Sequence, residues 1–200
     1  MIAIIDYDAG NIKSVEKAVQ FLGGEAVLTG DPEVILSADK AILPGVGSFG
    51  DAISRIRSAG LEPVIHEFVE SGKPFLGICL GLQLLFSESE ESPGVKGLSL
   101  LSGKIRRIPE KEGLPVPQIG WNDISVKKAS KLLDGVSGAY VYFVHSYYLE
   151  CDDPADVAAT TEYGVTIHAA VERGNLFACQ FHPEKSSAAG LRILSNFLAL

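Results

Sequence analysis

Four short apolar runs, "IAIIDY", "EAVLT", "KAILPG" and "KPFLGIC", punctuate the N-terminal part of the chain, and helix-period segments follow the first, third and fourth. Runs this apolar leave no face for water, so such strands must be covered on both sides. Strands joined through helical crossovers run parallel. The first helical segment, "NIKSVEKAVQFLGG", shows the pattern clearly. Ile12, Val15, Val19 and Leu22 form one stripe, and Gly23 and Gly24 end it. Further helices are expected at about 51–58 and 61–70, and over "LGLQLLFSES". The expected frame is a parallel sheet with helices on both faces.

The second half changes character. "SGKIRRIP", "GWNDISV", "AYVYFVHSYYLE", "VAATTEYG", "VTIHAAVERG" and "NLFACQFHPE" are strand-like and separated by turn chemistry such as Tyr163-Gly164 and Arg173-Gly174-Asn175. These strands are expected to extend the parallel sheet in antiparallel fashion. The fold class is therefore α/β: three layers, α/β/α, around a mixed sheet with a parallel core. A last helix is expected at about 187–198, with Leu191, Leu194 and Leu198 on one side, and "SESEESPG" as an exposed loop. With 200 residues, 46% of them hydrophobic, and no linker or repeat, the expectation is one domain over 1–200.

Charge and cysteine usage narrow the function. Seventeen basic and 25 acidic residues leave a net charge of -8, which argues against a nucleic-acid partner. Only "GKIRRIP" (Lys104, Arg106, Arg107) could form a basic patch, and a solvated strand edge explains it as well. No apolar stretch reaches membrane-span length, and "MIAIIDYDAG" reads as a first strand rather than a signal peptide. The three cysteines, Cys79, Cys151 and Cys179, show no metal spacing and suggest free thiols in a reducing cytoplasm. Neither a metal nor a cofactor is expected.

Gly77-Ile78-Cys79-Leu80-Gly81 has the form G-x-C-x-G, the cysteine version of a nucleophile elbow. A sharp strand-to-helix turn exposes the side chain, and the flanking glycines let neighbouring chain approach. The helix dipole there favours a thiolate. The alternative is a buried small hydrophobe. A thiolate in acyl transfer needs a histidine with an orienting group. His66 lies mid-helix among acidic residues, His168 has no acidic neighbour in its strand, and His145 follows "YVYFV". His182 ends a strand, where open α/β sheets place ligands, and Pro183-Glu184 follows it. In that strand Phe177, Cys179 and Phe181 share one face, and Ala178, Gln180 and His182 the other. A strand-end histidine beside a surface glutamate remains the simpler alternative. Gly45-Val46-Gly47-Ser48-Phe49-Gly50 matches G-x-G-x-x-G, but the next strand ends in Cys79 rather than an acidic residue, which argues against a dinucleotide site. The same backbone could instead supply N–H donors to an oxyanion.

"DYDAGNIKSV", "LPGVGSFGDA", "GICLGLQLLF", "PQIGWN", "YFVHSYY" and "QFHPEKS" together resemble the class I (triad-type) glutamine amidotransferases. They are most similar to the glutaminase subunits of imidazole glycerol phosphate synthases, and the resemblance covers essentially the whole chain. The segment "PGVGSFG" favours these over pyridoxal phosphate synthase glutaminases, which carry a segment nearer PGGES. The resemblance implies a flavodoxin-like fold and a Cys79–His182–Glu184 triad that hydrolyses L-glutamine. It implies oxyanion donors in the backbone at Val46, Gly47 and Leu80. Substrate contacts would come from Gly45, Gly47, Gln83, His145, Ser146 and Tyr147. The implied partner is a (β/α)8-barrel cyclase that receives the ammonia, with Asn11, Trp121, Asn122, Tyr142 and Lys185 at or near the interface. Another class I glutaminase, a DJ-1-like cysteine hydrolase and an inert scaffold are the competing readings.

Overall fold

The computed structural model describes residues 1–8 and 12–200. The first half runs β1 (Ile2–Ile5), α1 (Lys13–Phe21), β2 (Ala26–Thr29), α2 (Pro32–Ser37), β3 (Lys40–Leu43), α3 (Phe49–Ser58), α4 (Leu61–Glu70), β4 (Phe75–Ile78) and α5 (Leu80–Leu84). The second half is mostly strand: β5 (Glu88–Ser89), β6 (Gly103–Arg107), β7 (Gln118–Asp123), β8 (Ser125–Val126), β9 (Tyr140–His145), β10 (Tyr147–Cys151), β11 (Val157–Glu162), β12 (Thr166–Arg173) and β13 (Leu176–Cys179). The helix α6 (Ser187–Leu198) closes the chain.

An eight-stranded sheet in the order β2-β1-β3-β4-β13-β12-β11-β8 forms the centre. β2, β1, β3, β4 and β13 are parallel, and β12, β11 and β8 continue antiparallel. Alternate residues of each parallel strand enter opposite cores, as the two-residue period requires. Ala3, Ile5, Leu43 and Phe75 pack with α2, α3, α4 and α5 on one face. Ile2, Ile4, Ile42, Leu76 and Ile78 pack with α1 and α6 on the other. The expected α/β/α layering is therefore present. Fully buried side chains such as Phe68 and Phe197 each contribute about 2–3 kcal/mol of apolar burial to hold the helices down.

The structure departs from the sequence reading in four places. First, the antiparallel strands do not all extend the central sheet. β10-β6-β5 and β7-β9 form separate small sheets, and only β12, β11 and β8 extend the central one. Second, α2 sits in "DPEVILS", which the periodicity left unassigned; Asp31 caps it by accepting from Glu33 N at 2.9 Å, and Pro32 opens it. Third, α6 buries Gly190, Ile193, Leu194 and Phe197, so Leu191 is not on its core face. Fourth, "SESEESPG" is not simply exposed. Ser89 is buried in β5, and Glu91 and Ser92 reach back to the start of α3. The basic residues of β6 are neutralised: Lys104 pairs with Glu88, and Arg106 with Glu90 and Glu150. Among the described residues no helix is long and apolar enough to cross a membrane.

Candidate active site

Cys79 stands between β4 and α5 with φ 54° and ψ -111°, a conformation that costs a non-glycine residue on the order of 1–3 kcal/mol. The flanking glycines make it possible. A Cβ at Gly77 would lie 2.8 Å from the Gly81 carbonyl oxygen, and one at Gly81 would collide with the Leu43 carbonyl. The turn is held from the next strand, where Cys179 O accepts from Cys79 N at 2.8 Å. The helix that follows is only five residues long, so dipole support for a thiolate is weaker than the longer apolar pattern suggested.

His182 comes to the same point from β13. Its backbone N–H donates to Tyr142 O at 2.9 Å, and Ser186 Oγ donates to His182 O at 2.6 Å, which fixes the turn. Nδ1 lies 2.7 Å from Glu184 Oε1, with both side chains almost fully buried. Glu184 therefore sets the tautomer and leaves Nε2 to the sulfur side. Burial alone would lower the pKa of His182. Its hydrogen bonds with Cys79 and Glu184, and the charges of both, outweigh that and raise it to about 9. The other oxygen of Glu184, Oε2, is buried without a hydrogen-bond partner.

Cys79 and His182 open on a cavity of about 330 Å³. Val46, Gly47, Leu80, Gln83, His145, Ser146 and Tyr147 line it. Gly47 has φ 95° and open space around it, so this stretch of backbone needs glycine. Gly45 is placed differently from the expectation. It lies outside this lining, packed against Tyr7, Leu80 and Gly81, because Tyr7 Oη donates to Pro44 O at 3.0 Å and holds the loop's first residue inward. Glu91 also lines the cavity, accepting from Phe49 N at 2.8 Å. The sequence reading missed it. Its only signal was a Ser/Glu-rich segment, which resembles any solvated loop.

His145 shapes the wall through its side chain. Nδ1 lies 2.8 Å from Tyr147 O, and Nε2 lies 3.0 Å from the Gln118 carboxamide. Burial, reinforced by the charge of His182, pushes its pKa down to about 4 against the hydrogen bond to Tyr147 O. The ring has a carbonyl oxygen against each nitrogen, Tyr147 O at Nδ1 and Gln118 Oε1 at Nε2, so whichever nitrogen carries the proton donates to its own acceptor. Gln83 Nε2 donates to the same Tyr147 O at 3.0 Å and to Gln180 Oε1 at 3.0 Å.

Of the interface candidates, Asn11 lies outside the described residues. Trp121 is 51% exposed and meets the partly buried Tyr142 edge-on at 6.1 Å between ring centroids. Asn122 is turned inward, donating to Glu162 O at 2.9 Å, so its side chain braces β11. Lys185 is exposed and follows Glu184 in sequence. Ile119 and Tyr140, 62% and 61% exposed, add apolar surface on β7 and β9 that the sequence did not single out.

The profile of the family "Glutamine amidotransferase class-I" matches residues 3–200. An "Imidazole glycerol phosphate synthase subunit HisH" of Methanothermobacter thermautotrophicus is 50% identical over 200 residues, covering 100% of this chain and 98% of its own. The protein of the same name from Listeria innocua is 44% identical over 197 residues, covering 98% and 94%. A solved glutamine amidotransferase superposes with a TM-score of 0.78 over 100% of this chain and 98% of its own, at 22% identity, which speaks for the fold. The chain belongs to the class-I glutamine amidotransferase family.

Proposed function

We propose that this chain, as one domain over 1–200, is the glutaminase subunit of an imidazole glycerol phosphate synthase, with Cys79, His182 and Glu184 as its triad. The observation that carries the chemistry is the strained Cys79 hydrogen-bonded to a Glu184-oriented His182, both opening on one cavity. The near-50% identity over full length carries the choice among class I glutaminases and sets aside a DJ-1-like hydrolase or an inert scaffold.

Sulfur attacks the carboxamide carbon of L-glutamine, and the carbonyl π electrons move to oxygen. The backbone N–H groups of Leu80 and of the Val46–Gly47 stretch receive the oxyanion. When the tetrahedral species collapses, the C–N bond breaks and His182 Nε2 gives its proton to the departing nitrogen, so ammonia leaves a thioester. Acylation removes the sulfur charge and hydrogen bond that raise the His182 pKa. The ring, now neutral, takes a proton from the attacking water. The C–S bond then breaks, releasing glutamate and regenerating the thiolate. Gln83 and the Ser146–Tyr147 backbone hold the substrate, and Glu91 pairs with its ammonium.

Ammonia passes to a (β/α)8-barrel cyclase docked on the face that carries Trp121, Tyr142 and Lys185, in the cytoplasm. The test is Cys79→Ala in the reconstituted complex. Glutamine-dependent synthesis should fall by about 10³-fold or more, while synthesis from added ammonium salt stays near wild type. Retained glutaminase activity in Cys79→Ala overturns the assignment.

A further inference from the structure

We propose that Gln180 is a second donor to the nucleophile, holding the Cys79 sulfur and the substrate-facing Gln83 in one hydrogen-bonded unit. The inference deepens the reading of Cys79 as nucleophile and rests on it.

Gln180 follows the last residue of β13 and is fully buried, with 0% exposure. A carboxamide in that position is costly unless both ends are paired. Its Nε2 lies 3.7 Å from Cys79 Sγ, and its Oε1 accepts from Gln83 Nε2 at 3.0 Å. The orientation follows from chemistry. Tyr147 O can only accept, so the group that Gln83 presents to it at 3.0 Å must be NH2. The second hydrogen of that NH2 requires an acceptor, which is Gln180 Oε1. Gln180 therefore turns its own NH2 to the sulfur. Its backbone is fixed as well, with N–H donating to Ala169 O at 2.8 Å.

A carboxamide has no basic lone pair that competes for the thiol proton. It stabilises negative sulfur and leaves the proton to His182. The bond acts twice in the cycle. It supports the thiolate before attack, and it supports sulfur again as leaving group when water breaks the thioester. Between these points sulfur is neutral and the bond weakens, so the donor favours the charged states selectively. The same carboxamide fixes Gln83 through Oε1, coupling the position of the substrate contact to that of the nucleophile. The titratable groups that face Cys79 are His182 with Glu184 behind it, Tyr7 from the loop after β1 and Cys179 from β13. All four remain when Gln180 alone is changed.

The experiment measures iodoacetamide alkylation of Cys79 in the full-length chain, read by peptide mass spectrometry across roughly pH 5.5 to 9.5. In Gln180→Met, which keeps the unbranched shape, the rate near pH 6 should fall about tenfold relative to wild type, and the alkaline plateau should stay unchanged. Gln180→Asn keeps a polar amide but cannot span both partners, and it should show the same fall if the methionine variant does not fold. Identical pH profiles for wild type and either folded variant overturn the proposal. A wild-type Cys79 no more reactive near pH 6 than a free thiol would instead overturn the nucleophile reading itself.

Discussion

β4 and β13 are parallel neighbours, paired Ala178 to Gly77 and Cys179 to Ile78, and each delivers a cysteine to nearly the same level of the sheet. Their fates differ. Cys79 leaves β4 with φ 54° and opens on the cavity. Cys179 stays in regular strand between Phe177 and Phe181, fully buried, and burial drives its thiol pKa well above the ordinary range, helped by the charges of Glu184 and Cys79. The residue type is the same and the two backbones are bonded to each other. The difference is made by two glycines. Reactivity here is a property of the backbone turn that the sequence around Cys79 permits, and the sequence around Cys179 does not.

The most severe way to break the comparison is Gly81→Ala. Its Cβ would meet the Leu43 carbonyl, a backbone atom in the middle of the sheet that cannot swing aside. We expect a loss of about 3 kcal/mol or more in unfolding free energy, measured by urea denaturation, together with loss of selective Cys79 alkylation. Wild-type stability in this variant would mean that the turn is not held by close approach.

The pH dependence sharpens the comparison next. His182 is raised from 6.5 to about 9 by Cys79 and Glu184 against its burial, whereas Cys179 is governed by its own burial first and by the charges of Glu184 and Cys79 after it. Because the folded value lies above the ordinary one, the charged ring stabilises the fold fully below about pH 6.5 and loses that contribution as pH rises through about 9. In the proposed mechanism the imidazolium also supplies the proton to departing ammonia. Glutamine turnover should therefore decline along an alkaline limb centred near pH 9, and His182→Ala should remove that limb along with most of the activity. An alkaline limb near 6.5 would show that the thiolate does not hold the ring's charge.

The parallel half was legible because its determinants are local. Apolar runs, a 3.6-residue stripe in α1 and the G-x-C-x-G spacing each act within a few residues. The face assignment of β13 was legible for the same reason, and it placed Cys179 in the core. What stayed hidden depends on distant partners. The pairing of β10 with β6 rather than with the central sheet is one case. The inward turn of Asn122 toward Glu162 is another. Glu91 acquires meaning only because α3 starts beside it, 42 residues earlier in sequence. The packing of Gly45 against Tyr7, Leu80 and Gly81 is a third, since Tyr7 comes from the loop after β1. Periodicity reports which face a residue takes. It does not report which other segment arrives at that face.

The smallest effect belongs to the silent member of the pair. Cys179→Ala removes a sulfur that touches Phe181 O at 3.5 Å and otherwise fills apolar space beside Phe177 and Phe181. The backbone bond from Cys79 N to Cys179 O, which steadies the elbow, is unaffected by the change of side chain. We expect a loss of about 1 kcal/mol in stability from the small cavity, and glutaminase kcat within about twofold of wild type. In the wild-type chain, native alkylation should modify Cys79 and spare Cys179, and both should react once the chain is unfolded. A large drop in kcat with little change in stability would require Cys179 to act on Cys79 through its charge. The contrast between the strands would then be one of coupling, and no longer one of backbone geometry alone.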